Sequence, residues 1–183
     1  VKEYNAIIGY TQSDEISLIL SNTSLVPTIF DGKVQKIINT IASSASTFFS
    51  LNFPAYFQTN VLDYSSSLPT FDARGFSVPS YKVASNCILW RYLDCQKNAI
   101  NMAARHYFSH SFLQNKSSIE MKEALLTLGI DFTEYPDYFK YGTLLKKTQY
   151  PKYINEQSFV MRSKIDHIVL SKPFYKYTPE ERM

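Results

Sequence analysis

The sequence predicts an α+β fold, a largely antiparallel sheet with helices packed on one face. Three observations carry that reading. Short apolar runs flank a polar cluster near the N-terminus, two longer segments repeat apolar residues at helical spacing, and the five glycines form neither a GxGxxG nor a phosphate-loop pattern. A parallel, doubly wound sheet is therefore disfavoured. The 183 residues suit one domain, and 45% hydrophobic content with 14 Tyr and 13 Phe supports a sizeable core, which excludes disorder as the default. No apolar run reaches the roughly 18 residues of a membrane span, so a soluble protein without a membrane partner is expected.

From Tyr4 to Leu20 the run YNAIIGY, the cluster TQSDE and the run ISLIL predict a β-hairpin with Ser13, Asp14 and Glu15 at or beside its tip. Val34, Ile37, Ile38, Ile41, Ala45, Phe48 and Phe49 then recur at helical spacing, with Asp31 placed to cap the helix. Residues 51 to 69, serine-rich at Ser65 to Ser67, read as a loop, and FDARGFSVP at 71 to 79 as a strand ended by Pro79. Ser80 opens a long helix to about Phe108, with Val83, Cys87, Trp90, Ile100, Ala103 and Tyr107 spaced for burial. Ser117 and Glu120 form a capping-box pattern before a helix that stops at Gly129. A short strand around Gly142 to Leu145 and a weakly patterned tail complete the chain, which divides into a domain over 1–150 and a tail over 151–183 packed on it.

Charge decides little: 19 Lys and Arg against 16 Asp and Glu give +3, permissive of a polyanionic partner without requiring one. Cys87 and Cys95 read as reduced packing residues, in keeping with an intracellular protein. TQSDEIS at 11 to 17 is the sharpest local signal, because Asp14 and Glu15 are adjacent at a tip and cannot both face a core. Such a pair is either a solvated turn or a hard-oxygen site for a divalent cation in phosphoryl transfer. Lys33 and Lys36 fall in the first turns of their helix, where the macrodipole disfavours cations; they are either solvated or opposed to an anionic ligand. His106 and His110, four apart, lack the glutamate of a zinc-helix motif, so a packing or RNA-contacting role suits His110 better than zinc.

The blocks GYTQSDEISLIL, FDGKVQKI, FDARGFSVP, WRYLDCQKNAINMAARHYFSH, NKSSIEMKEALLTLGIDF and YFKYGT, in this order over roughly residues 5 to 147, resemble the tRNA(His) guanylyltransferase family and its relatives, the 3′-to-5′ RNA polymerases. The resemblance implies a polymerase-palm-like sheet with helical additions, two Mg²⁺ ions, ATP and GTP as nucleotides, tRNA as partner and a homotetramer. It implies catalytic and metal-binding roles for Asp14 and Glu15, and nucleotide contacts from Ser13, Lys33, Lys36 and Asn98. Arg91, His110, Lys116 and Lys140 are the RNA-facing candidates. The implied reaction is nucleotide addition to the 5′ end of tRNA, as G addition to tRNA(His) or template-dependent end repair. A non-catalytic RNA-binding domain or pseudo-enzyme subunit is the alternative, and the implied compartment is the cytoplasm, with the mitochondrion as second choice.

Three departures qualify the resemblance. The family's first strand carries Asp-Gly-Arg, which nothing before Tyr4 supplies, so the chain is expected to be N-terminally incomplete and catalytically incomplete as given. Gln96, Lys97, Asn98 and Ala99 stand where eukaryotic members have His-Ile-Asn-Asn, which points to the guanylyltransferase-like, template-dependent branch. Lys140, Tyr141 and Gly142 stand where the family has Lys-Arg-Gly, which puts one phosphate contact that the resemblance implies in question.

Overall fold

In the computed structural model, residues 1–21, 29–57, 68–155 and 158–170 are described. Contacts divide the chain into one unit of Val1–Leu20 with Pro79–Met183 and a second of Ser21–Val78. The first unit holds an antiparallel four-stranded sheet in the order β2-β1-β3-β4. Strands β1 (Ile8–Gln12) and β2 (Glu15–Ile19) form the expected hairpin. Gln12 pairs with Glu15, leaving Ser13 and Asp14 as a two-residue tip, with Ser13 at φ 47.

Helix α2 (Tyr81–Tyr107) covers one face of this sheet and is capped by Ser80, whose hydroxyl accepts from the Val83 amide. Its buried residues are Ala84, Ile88, Tyr92, Cys95, Ala99, Ile100, Ala103 and Ala104, an i, i+4, i+7 stripe one position removed from part of the expected set. Trp90 is 66% exposed, and Val83 and Tyr107 are also exposed. Ile100 and Ala103 are buried as expected, whereas the face near the N-terminal half is set by Ala84, Ile88 and Tyr92 rather than Val83 and Trp90. Ile88 and Tyr92 pack with Ile8, Tyr10, Leu144 and Leu170 against the sheet. Ala99, Ile100, Ala103 and Ala104 pack with Leu113, Met121, Leu125 and Phe132 in a second core.

A break at Phe108 and Ser109 separates α2 from α3 (His110–Leu113), so His106 and His110 do not share a helix as expected. Helix α4 (Ser118–Thr127) shows the anticipated capping box in both directions, and Gly129 adopts φ 74 after it. Helix α5 (Asp137–Tyr141) leads through Gly142 into β3 (Thr143–Asn155), which pairs with β4 (Ser158–Val169). The short strand expected near 142–145 is thus 13 residues long, and the weakly patterned tail is largely the other half of a hairpin. The expected boundary at 150 falls inside β3. Pro151 sits in this ribbon, where alternate amides face away from the partner strand and a missing donor costs little.

In the second unit α1 (Val34–Phe57) begins after a 3₁₀ turn at Ile29–Gly32, so Lys33, not Asp31, precedes the helix. Residues 51–57, expected as loop, continue the helix through Pro54; the proline removes one backbone donor but not the turn. The expected strand at 71–79 is not formed: residues 68–78 are irregular, and the Phe71 amide donates to the Ser46 hydroxyl. Its alternating letters have no partner strand among the described residues. The Phe49 and Phe71 rings meet edge to face, 5.8 Å between centroids, and a Cβ on Gly75 would come within 2.8 Å of Ile38. Ser65 to Ser67 and the tail beyond Leu170 lie outside the described residues.

Candidate active site

The hairpin tip is fastened to α2 by one guanidinium. Arg91 donates to Glu15 Oε2 through Nε at 2.9 Å and Nη2 at 2.6 Å, and through Nη2 to Asp94 Oδ2 at 2.8 Å. The Gln12 amide donates to the same Glu15 oxygen at 2.8 Å, and Asn98 donates to Asp94 at 3.4 Å. Arg91 also stacks against Trp90, 5.0 Å from the ring centroid. Gln12 is 4% exposed, so its bond to a charged acceptor fixes which end of the amide faces Glu15.

The two adjacent carboxylates are therefore unequal. Glu15 is engaged by three donors, whereas Asp14 is exposed and makes no side-chain hydrogen bond or ion pair among the described residues. Beside the tip lies a cleft of about 220 Å³, lined among others by Gln12, Ser13, Cys95, Asn98 and Tyr138. Ser13 faces Met102, with Oγ 3.7 Å from the sulfur. Beneath it, the Tyr10 hydroxyl donates to the Tyr141 carbonyl at 2.8 Å, and burial pushes both the Tyr10 hydroxyl and the Cys95 thiol up in pKa. Cys95, 3% exposed, is a packing thiol, as its sequence context indicated.

The structure brings Ser13, Asp14, Glu15, Arg91 and Asn98 into this one region of the first unit. The other candidates are placed elsewhere or otherwise occupied. Lys33 and Lys36 belong to the second unit, where the Lys36 ammonium lies 4.7 Å from the Phe30 ring centroid. Lys140 donates to the Thr133 carbonyl at 2.7 Å and pairs with Asp137 at 3.0 Å. Lys116 lies over Phe112 at 4.8 Å, and exposed His110 opens α3. Gln12 and the tethering role of Asp94 escaped the sequence reading. The Arg-x-x-Asp spacing, which puts both side chains on one helix face, was the available signal for Asp94; nothing in the sequence marked Gln12.

No group of three or more His, Cys, Asp or Glu poised for a metal occurs among the described residues. The donor chemistry at the tip still fits Mg²⁺ in part, because that ion keeps several waters and takes one or two carboxylates together with substrate phosphates. Asp14 meets that requirement directly. Glu15 meets it only by exchanging Arg91 for the ion.

Residues 1–79 match the family model described as tRNAHis guanylyltransferase. The tRNA(His) guanylyltransferase of Schizosaccharomyces pombe is 26% identical over 149 residues, covering 75% of this chain and 54% of that protein. A solved bacterial tRNA(His) guanylyltransferase-like protein in complex with ATP superposes with a TM-score of 0.67 at 27% identity, over 89% of this chain and 64% of its own. A structure of such a protein with GTP gives 0.60 at 26% identity, over 88% and 62%. The chain spans about half the length of the curated relatives it matches.

Proposed function

We propose that this chain, similar over residues 1–79 to the tRNA(His) guanylyltransferase family model and in fold to solved proteins of that kind, is a member of that family and forms the palm part of a nucleotidyltransferase acting on the 5′ end of tRNA. The observation that carries this reading is the Asp14 carboxylate, unpaired among the described residues, at the tip of the β1–β2 hairpin beside a cleft bearing Ser13 and Asn98. ATP and GTP, the nucleotides bound by the solved neighbours, are the nucleotides proposed here.

The 5′-monophosphate of the RNA would attack the α-phosphate of ATP, releasing pyrophosphate. The 3′-hydroxyl of the incoming nucleotide would then attack the activated phosphate, expelling AMP and losing its proton to water. Asp14, with Glu15 as its neighbour, would hold Mg²⁺, which when bound eases deprotonation of the hydroxyl and offsets charge on the departing group. Arg91 holds the tip in register with α2, and Ser13 and Asn98 supply polar contacts to nucleotide. Gln96 and Lys97 favour selection of the incoming nucleotide by pairing across the acceptor stem, and a tetramer is the assembly proposed.

The test uses the full-length protein with a 5′-monophosphorylated tRNA lacking its first nucleotide, with ATP, Mg²⁺ and labelled GTP. Asp14→Asn should lower incorporation by on the order of 10²- to 10³-fold while leaving the melting temperature unchanged, since removing one transition-state charge contact typically costs about 3–4 kcal/mol. Turnover within a few-fold of wild type would refute the assignment.

A further inference from the structure

A second concavity, of about 440 Å³, lies in the first unit on a different side of α2. Lys97, Lys122 and Lys140 line it, and no carboxylate does. Its floor is apolar: Ile100 and Phe132 are 5% and 8% exposed, and Tyr141 completes it. Lys97 and Ile100 are three apart on α2 and so share its groove-facing side.

The lysines are not equivalent. Lys122 stands with its ammonium 5.5 Å from the Phe132 ring centroid and Lys140 at the same distance from Tyr141. These contacts hold two cations at the edge of the floor without cancelling their charge. Lys140 is offset by Asp137, which lies outside the lining, whereas Lys97 and Lys122 have no carboxylate partner among the described residues. A rim of like charges around an apolar floor is complementary to an anion. A ligand matched to both features carries phosphate at one end and a flat apolar surface at the other.

We infer that the groove lined by Lys97, Lys122 and Lys140 is a nucleotide-binding site separate from the Asp14 cleft, with the phosphate on Lys97 and Lys122 and the base on the Phe132 and Tyr141 side. The phosphate source is either a free nucleoside triphosphate or a nucleotide within an RNA strand. This inference stands on the groove alone and does not require the nucleotidyl-transfer reading.

Lys97→Ala/Lys122→Ala is compared with the parent protein by calorimetric titration of inorganic tripolyphosphate and GTP, and by fluorescence anisotropy with a labelled RNA 12-mer. Both side chains are exposed, and an unchanged melting temperature checks that the fold persists. At least a tenfold loss of affinity for tripolyphosphate is expected, and the slope of log K against log salt should flatten by about two. The same loss for GTP identifies the free nucleotide as the source; loss confined to RNA and tripolyphosphate identifies the strand. Equal affinities of the two proteins for all three probes, or no binding of any probe by the parent, overturns the inference. Because Asp14→Asn leaves this groove intact, failure of either reading is visible without the other.

Discussion

The sheet is made of two hairpins built under opposite constraints. In the first, β1 and β2 are five residues each, turn in two residues, and press Ile8, Tyr10 and Gln12 against helices until each is at most 7% exposed. In the second, β3 and β4 run 13 and 12 residues, but only Thr143 to Lys146 pair with β1. Beyond that, the strands pair only with each other, and Tyr153, Ile154, Phe159 and Met161 are all more than half exposed. Burial gives the first hairpin a fixed tip on which a charged group can be held to a position. The second gains a long reach and surrenders that fixity, because a two-stranded ribbon without a packed face is marginally stable by itself.

The largest effect on this contrast is expected where the hairpins meet. Gly142 adopts φ +72 between α5 and β3, and a Cβ there would lie 2.7 Å from the Thr11 carbonyl and 2.6 Å from the Tyr10 hydroxyl. Gly142→Ala should therefore lose about 2–3 kcal/mol in urea denaturation, adding left-handed strain to a backbone clash that cannot rotate away. A loss under about 0.5 kcal/mol would mean that the junction yields, and with it the claim that the first hairpin is rigidly seated.

A smaller effect is expected at the tether. Arg91 is 22% exposed and Glu15 45%, so solvent screening leaves their two hydrogen bonds worth about 1 kcal/mol. In a double-mutant cycle Arg91→Gln and Glu15→Gln should couple by roughly 0.5–1 kcal/mol. Amide exchange at Ser13 and Asp14 should quicken in Arg91→Gln. Additive stabilities with unaltered exchange would mean that the tip is ordered by its turn alone.

What the sequence disclosed follows the same division. The first hairpin, the Ser117 capping box and the Gly129 stop were legible because each rests on local chemistry: alternation against a core, a reciprocal side-chain cap and a left-handed residue. The candidate site was legible as residue types, Ser13, Asp14 and Asn98, but not as an arrangement. That Glu15 is engaged, and Asp14 free among the described residues, depends on Arg91 arriving from 76 residues away. The ribbon was read as tail because both of its faces are exposed, and strands without a buried side carry no strict alternation. The 71–79 segment failed the other way, having alternation without a neighbour to pair with.

Acid should loosen the ribbon selectively. Asp166 accepts from the Thr148 hydroxyl at 2.6 Å and pairs with Lys164 at 2.9 Å; the Thr148 bond first, then Lys164, holds its carboxyl below the usual carboxylate range. A pKa depressed on folding stabilises above the unfolded value and is lost as pH falls through the folded one. Amide protection around Thr148 and Lys164 should accordingly decline below about pH 4. Asp166→Asn should reduce that pH dependence; an unchanged profile would assign it to other carboxylates.

The smallest effect is expected at Tyr153, 67% exposed near the ribbon's end, 5.8 Å between ring centroids from Phe159. An aromatic cross-strand pair contributes roughly 0.2–1 kcal/mol locally, but global stability resides in the cores beneath α2. Tyr153→Ser should thus leave the urea midpoint within about 0.5 kcal/mol of the parent, the range for surface changes, while fraying the ribbon in amide exchange. The corresponding substitution at Tyr10, 1% exposed and bonded to the Tyr141 carbonyl, removes core packing and a buried hydrogen bond together. A loss above about 1 kcal/mol at Tyr153, growing with protein concentration, would show that the ribbon packs against a second copy. Its exposure would then belong to the isolated chain, and the two hairpins would differ only in whether their covering face is supplied from within.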